Sequence, residues 1–255
     1  MPDCDLQRAG ILVTRPAHQA AGLCSLIESH NGVALRFPAL EILPPEDEGT
    51  PTSILREASG LMIFVSPNAV TYGLQLLGGK AFLAKLTLGA VGKATAKALE
   101  EAGYGVDLLP SGQFDSEGLL ALPELQQVAG EKIVVVRGVG GRALLGDRLR
   151  ERGADLVYAE VYRRACPDVA PSPLLDRWDM EVSLVTATSN DILANLKRIL
   201  GPKGWPQLKQ TPLLVISERM LEMAEKMGFE TILRANNAGN QVILGRVCHW
   251  IKQHA

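Results

Sequence analysis

Four segments place small polar side chains directly after a short apolar run: Thr14-Arg15-Pro16, Ser66-Pro67-Asn68, Thr186 to Asn190 (with Thr188 and Ser189 inside it), and Ser217-Glu218-Arg219. Taken singly, each reads as a helix cap, because a side-chain oxygen there satisfies a backbone N–H that has no partner within the helix. Taken together, they form a ring of hydroxyl, amide and backbone donors suited to an anionic, carboxylate-bearing ligand. Arg15, Arg137, Arg142 and Arg219 add forked cations to the same set.

Gly138-Val139-Gly140-Gly141-Arg142-Ala143 follows the run Lys132 to Arg137 and satisfies G-x-G-x-x-A, with Glu160 about where a ribose-binding acid would sit. An NAD(P)-dependent oxidoreductase is therefore one rival reading, and a non-catalytic two-lobe ligand sensor is the other. Arg137 directly before the first glycine, and the mid-chain position of the motif, favour a glycine-rich turn without a nucleotide. There is no G-x-S-x-G, P-loop or H-E-x-x-H, and Cys248-His249 sit side by side on a terminal amphipathic helix, so metal catalysis is not expected. His18, beyond the Arg15 loop, reads as a solvated surface histidine. Tyr158 and Tyr162 lie four apart on an expected strand and are therefore expected on one face, with Tyr162 turned toward the ligand.

To position these groups, the strands must end together. Apolar runs of strand length (ILV at 11–13, LMIFV at 61–65, LTLGAVG at 86–92, KIVVVRG at 132–138, ADLVYAEVY at 154–162, VSLVTA at 182–187, PLLVIS at 212–217) alternate with helical patterns such as Leu23, Leu26 and Ile27. That order predicts parallel sheets covered on both faces. The halves echo each other: Ile11 to Arg15 resembles Ile133 to Arg137, Phe64 to Asn68 falls against Val185 to Ser189, and Gly92 to Gly103 against Ser217 to Gly228. Two proline-containing stretches, 36–51 and 157–173, read as crossings between lobes. The expected organisation is a discontinuous first lobe of residues 1–37 and 167–255, an inserted second lobe of residues 38–166, and a ligand cleft where they face.

Composition narrows the classes. The 255 residues are 47% hydrophobic, and 26 Lys+Arg against 28 Asp+Glu give a net charge of −2. A chain of this size and apolar content can bury one large core or two modest ones. Near-neutral charge without a basic run argues against nucleic-acid binding. No apolar stretch approaches the ~20 residues of a membrane helix. Four scattered cysteines without C-x-x-C, and an N-terminus without an apolar signal core, predict reduced thiols in a cytoplasm.

The ordered segments VTRP (13–16), FVSPNAV (64–70), AVGKATAKALEEAGY (90–104), DSEGLL (115–120), VVVRGVGGRALL (134–145), VY (161–162) and ISER (216–219) together resemble the uroporphyrinogen-III synthase family over nearly the whole chain. The pattern departs at Val65 and Ala187, where that family often carries a hydroxyl. The resemblance implies two Rossmann-like (flavodoxin-like) lobes with parallel sheets, joined by two extended linkers. It implies an enzyme of tetrapyrrole biosynthesis that closes hydroxymethylbilane to uroporphyrinogen III with inversion of the last pyrrole, losing water and using no cofactor. It makes the Gly138 turn a substrate-side loop and adds Lys93 and Ser116 to Arg15, Ser66, Asn68, Arg137, Arg142, Thr186, Thr188, Ser189, Ser217 and Arg219 as substrate contacts. Tyr162 matches the family tyrosine and is expected to assist departure of the terminal hydroxyl. The expected partners are the linear tetrapyrrole and, transiently, hydroxymethylbilane synthase, with the protein a monomer.

Overall fold

The computed structural model describes residues 4–78 and 83–254. The chain divides into two compact units, Met1–Glu41 with Ala165–Ala255, and Ile42–Arg164. The first begins with β1 (Gly10–Val13), α1 (Ala17–Ser29) and β2 (Val33–Arg36). The second contains β3 (Glu41–Leu43), α2 (Gly49–Arg56), β4 (Leu61–Phe64), α3 (Pro67–Leu77), β5 (Thr87–Ala90), α4 (Lys93–Glu101), α5 (Ser116–Leu120), β6 (Lys132–Gly138), α6 (Leu144–Glu151) and β7 (Asp155–Ala165). The first resumes with α7 (Ser172–Leu175), α8 (Trp178–Glu181), β8 (Leu184–Thr186), α9 (Asn190–Gln210), β9 (Leu213–Val215), α10 (Glu218–Met227), β10 (Ile232–Arg234) and α11 (Asn240–His254).

The sheets run β2-β1-β8-β9-β10 and β5-β4-β6-β7-β3. In each, the chain leaves one central strand toward one edge and its neighbour toward the other, so β1/β8 and β4/β6 are topological switch points, where ligands of open α/β sheets bind. Both central pairs are parallel. Written in chain order, the first sheet is the flavodoxin order 2-1-3-4-5, and the second follows it when β3 serves as the fifth strand. The sequence echo of β1 with β6 and β8 with β4 matches four strands; pairing β1 with β4 and β8 with β6 matches all five.

Both faces of the second sheet are buried, as strict alternation shows. Met62, Phe64, Val134 and Val136 pack against α3 and α4 through Ala69, Val70, Ala96 and Leu99. Ile63, Ile133 and Val135 face Leu119, Leu120, Leu145 and Leu149 on the other side. In the first sheet, Ile11, Val13, Leu184, Leu214 and Leu233 pack on Leu23 and Ile27 of α1 and on Ile243, Leu244 and Val247 of α11. Helix boundaries follow local chemistry: α3 begins at the Ser66 cap with Pro67 in its first turn and ends at left-handed Gly78. α9 breaks at Gly201 (φ 60°), ahead of Pro202, which has no N–H to continue the ladder.

Three expectations change. Tyr158 and Tyr162 do not share a face: Tyr158 packs with the Leu145/Leu149 side and Tyr162 with the Phe64/Val136 side. The cause is a register shift between Arg137 and Gly138, where β7 carries one extra residue and the period-two count slips by one. The strand read over 154–162 runs on to Ala165 and so takes in the first part of the stretch also read as a crossing. Finally, Cys4 and Cys248 are joined in a disulfide with Cα atoms 5.6 Å apart, so the four thiols are not all free. Cys24 is buried and Cys166 partly buried, and burial pushes the Cys24 thiol up, holding it in the less nucleophilic protonated form. Thiol titration of unreduced, denatured protein should therefore find Cys24 and Cys166 alone, with Cys4 and Cys248 appearing only after reduction. In native protein Cys24 should alkylate more slowly than Cys166.

Candidate active site

In the first unit, the switch point is closed by two threonines with no exposed surface. Thr14 Oγ1 donates to the Thr186 carbonyl, and Thr186 Oγ1 donates to the Leu12 carbonyl at 3.0 Å. Both hydroxyls thus lock β1 to β8, and the Thr186 hydroxyl spends its proton on the Leu12 carbonyl. Arg15 is also internal, at 7% exposure, and donates to Asn240 Oδ1 at 2.6 Å and to the Ala238 carbonyl. Desolvation lowers its pKa from a value so high that it stays charged. Arg15 therefore ties the loop before α11 to the end of β1. Asn240 was not foreseen; it lies 225 positions from Arg15, so no local spacing could have revealed it.

The remaining residues of this unit stay nearer solvent. Ser189 caps α9 by accepting from Ile192 N–H, and Ser217 caps α10 by accepting from Met220 N–H. Thr188 is half-buried and Arg219 exposed. His18 is exposed on α1 and lies beside Gln19.

In the second unit, Arg137 is 8% exposed and donates through Nε and Nη2 to one oxygen of Glu160, at 3.1 and 3.0 Å. Its guanidinium lies over the Tyr158 ring, 4.1 Å from the centroid, and reaches the Arg142 carbonyl at 3.4 Å. The glycine-rich turn fits around these groups. A Cβ at Gly138 would come within 2.6 Å of the Tyr162 ring, Gly140 has φ +68°, and a Cβ at Gly141 would meet Arg137 Nε at 3.4 Å. Packing on Tyr162 thus accounts for Gly138 and left-handed backbone for Gly140, both without a pyrophosphate, and Glu160, the candidate ribose acid, is already paired with Arg137. The dinucleotide reading finds no support in this geometry.

Two exposed cations of the same unit, Lys93 and Arg142, meet the neighbouring residues Phe114 and Asp115. Lys93, at the start of α4, lies 4.5 Å from the Phe114 ring centroid, and α4 has no side-chain cap. Asp115 caps α5 by accepting from Gly118 N–H at 2.9 Å. That bond above all, with Gln113 and the positive charge of Arg142, holds its carboxyl below the usual range against an opposing desolvation. Arg142 is exposed, while Ser116, Ser66 and Asn68 are partly buried. Phe114 and Asp115 were not singled out in the sequence, although Asp115 three residues before Gly118 is a legible cap.

Tyr162 is 1% exposed. Its hydroxyl lies 3.2 Å from Ser66 Oγ and accepts from Arg164 Nη2 at 3.4 Å. Ser66 Oγ meanwhile accepts from Ala69 N–H at 3.1 Å. The phenol expected to face the ligand is therefore buried behind a serine. Among the described residues, no group of three or more His, Cys, Asp or Glu is placed to hold a metal ion, and no helix is long and apolar enough to cross a membrane.

Arg137→Ala should lower thermal stability, because it leaves Glu160 without its partner beside a buried guanidinium site. About 1–2 kcal/mol is expected for this partly exposed pair, a melting shift of a few degrees; an unchanged melting temperature would return Arg137 to ligand binding. A second expectation concerns acid. Because the Asp115 pKa is depressed on folding, its contribution is present above the unfolded value of about 3.9 and is lost as pH falls through the folded value. Asp115→Asn, which also caps, should show a shallower loss of melting temperature below about pH 4 than the parent chain.

The family model described as "Uroporphyrinogen-III synthase HemD" matches residues 22–243. The uroporphyrinogen-III synthase of Escherichia coli is 33% identical over 241 residues, covering 92% of this chain and 98% of that protein. That of Salmonella typhimurium is 33% identical over 92% of this chain and 98% of its own length. Among solved structures, a mutant uroporphyrinogen III synthase of Thermus thermophilus superposes with a TM-score of 0.62 at 19% identity, covering 97% of this chain and 100% of that one, a likeness of fold. The glycine-rich turn packed on protein groups, the capped strand ends and the match along nearly all of the sequence lead to one assignment: this chain belongs to the uroporphyrinogen-III synthase family.

Proposed function

We propose that the chain converts hydroxymethylbilane to uroporphyrinogen III, forming the macrocycle with the last pyrrole inverted through a spirocyclic intermediate and releasing the terminal hydroxyl as water. The observation that carries this is the 33% identity to a uroporphyrinogen-III synthase along 98% of that enzyme's length. The same proposal places its action in the cytoplasm; there the Cys4–Cys248 pair would be held against a reducing environment, which the thiol titration above reads directly.

The substrate can ionise and close by itself to the unrearranged isomer, so the protein's task is to hold the chain in one conformation and favour attack at the substituted carbon. Each unit offers donors to carboxylates of the tetrapyrrole: Lys93 and Arg142 with Ser116 and Asn68 in the second, Arg219 with Thr188, Ser189 and Ser217 in the first, and backbone N–H groups at the helix starts in both. Gly138 lets the turn approach the substrate while resting on Tyr162. Arg15 and Arg137 serve first to hold loops in place, since each spends part of its guanidinium fork on protein acceptors. Ser66 and Tyr162 stand together as the hydroxyl pair that serves the reacting end.

Hydroxymethylbilane incubated with purified protein, followed by oxidation and separation of the isomers, should yield the type III product well above background. Formation of the type I isomer alone at the uncatalysed rate would overturn the proposal. Lys93→Met and Arg142→Met should each raise KM roughly threefold to fivefold with kcat little changed, the size expected for one exposed charge pair that grips a carboxylate away from the reacting carbon.

A further inference from the structure

Proton accounting at Ser66 and Tyr162 decides which hydroxyl can serve a ligand. A hydroxyl has one proton to donate and room to accept. Arg164 carries only donors, so in its 3.4 Å contact the Tyr162 oxygen accepts. Ala69 N–H likewise donates to Ser66 Oγ, at 3.1 Å. Between the two hydroxyls, 3.2 Å apart, either direction is geometrically allowed.

If Ser66 donated, the Tyr162 oxygen would accept twice and its own proton would have to find a third partner. That side chain is 1% exposed, and among the described residues Ser66 and Arg164 are the partners of its hydroxyl. A buried O–H without an acceptor is penalised by its full desolvation. If Tyr162 donates, every proton at the buried end is placed. Ser66 Oγ then accepts twice, from Ala69 and from Tyr162, and its own proton points away from both. Ser66 is the partly exposed member of the pair, at the β4 end of the switch point.

We propose that Arg164, Tyr162 and Ser66 form a one-way hydrogen-bond relay in which Ser66 donates to an acceptor oxygen of the tetrapyrrole. Tyr162 and Arg164 are positioning residues that set the direction of that donation. The inference rests on the synthase reading above and deepens it. Tyr162 serves the reaction without touching the substrate, and the Tyr162 ring under Gly138 couples the relay to the glycine-rich turn. Hydrogen bonds in such a chain polarise one another, so the last donor is stronger than an isolated serine.

The test is a double-mutant cycle in kcat/KM with hydroxymethylbilane. Ser66→Ala and Tyr162→Phe should each lower kcat/KM about tenfold, and the double variant should be no worse than the poorer single one, because both break the same chain. Ser66→Thr, which keeps the hydroxyl and the α3 cap, should stay within about threefold of the parent. Ser66→Ala also loses that cap, so all rates are compared well below its melting temperature. Tyr162→Phe keeps the ring under Gly138 and supplies the arm in which folding is unchanged. Multiplicative losses in the double variant, or parental activity in Tyr162→Phe, would overturn the relay. A parent enzyme that makes no type III isomer would instead overturn the functional reading, so the two failures are distinguishable.

Discussion

Two parallel strands that part company at the centre of a sheet leave a gap at their carboxyl ends, and the chemistry of each unit depends on what fills it. At β1/β8 the gap is filled internally: Thr14 and Thr186 bond across it and Arg15 draws the loop before α11 over it. At β4/β6 the filling is different. Ser66 and the Gly138 turn rest on the Tyr162 ring and hydroxyl, which come from β7, the next strand over. The register shift between Arg137 and Gly138 makes this possible, since it turns Tyr162 onto the face where Phe64 and Val136 lie.

The two internal arginines explain how a protein of net charge −2 can serve a polyanionic substrate. A buried guanidinium needs acceptors, and both have found them in protein: Glu160 and a carbonyl for Arg137, an amide oxygen and a carbonyl for Arg15. Removing either strands a polar partner, so their loss registers first as lost order in the loops. In the function proposed above, gripping would fall to exposed cations that can adapt to a flexible ligand, and to backbone N–H groups that carry no net charge. The Arg142 side chain raises no conflict with this, because it points to solvent while its carbonyl receives Arg137.

The same division explains the glycine-rich turn. G-x-G-x-x-A in a nucleotide-binding protein reflects close approach of backbone to pyrophosphate. Here the close approach is to the Tyr162 ring at Gly138, and left-handed φ is needed only at Gly140. One local pattern thus arises from two different neighbours, and only the neighbours distinguish them.

Local chemistry was legible in the sequence wherever a residue's role is played out within a few positions. Unbroken apolar runs specified burial of both faces of β4 and β6, and the serines at 66, 189 and 217 were readable as caps because their partners lie three residues on. The order of strands and helices pointed to parallel sheets, and the ordered short segments pointed to the family. What sequence left open is what depends on residues far apart in the chain. Asn240 on Arg15, Glu160 beneath the glycine turn, Cys4 on Cys248 and Tyr162 behind Ser66 are contacts of long separation, for which spacing carries no information. The bulge in β7 is the sharpest instance. A count of four along a strand put Tyr158 and Tyr162 on one face, and a single extra residue, accommodated only because β6 offers a register shift beside it, put them on opposite ones.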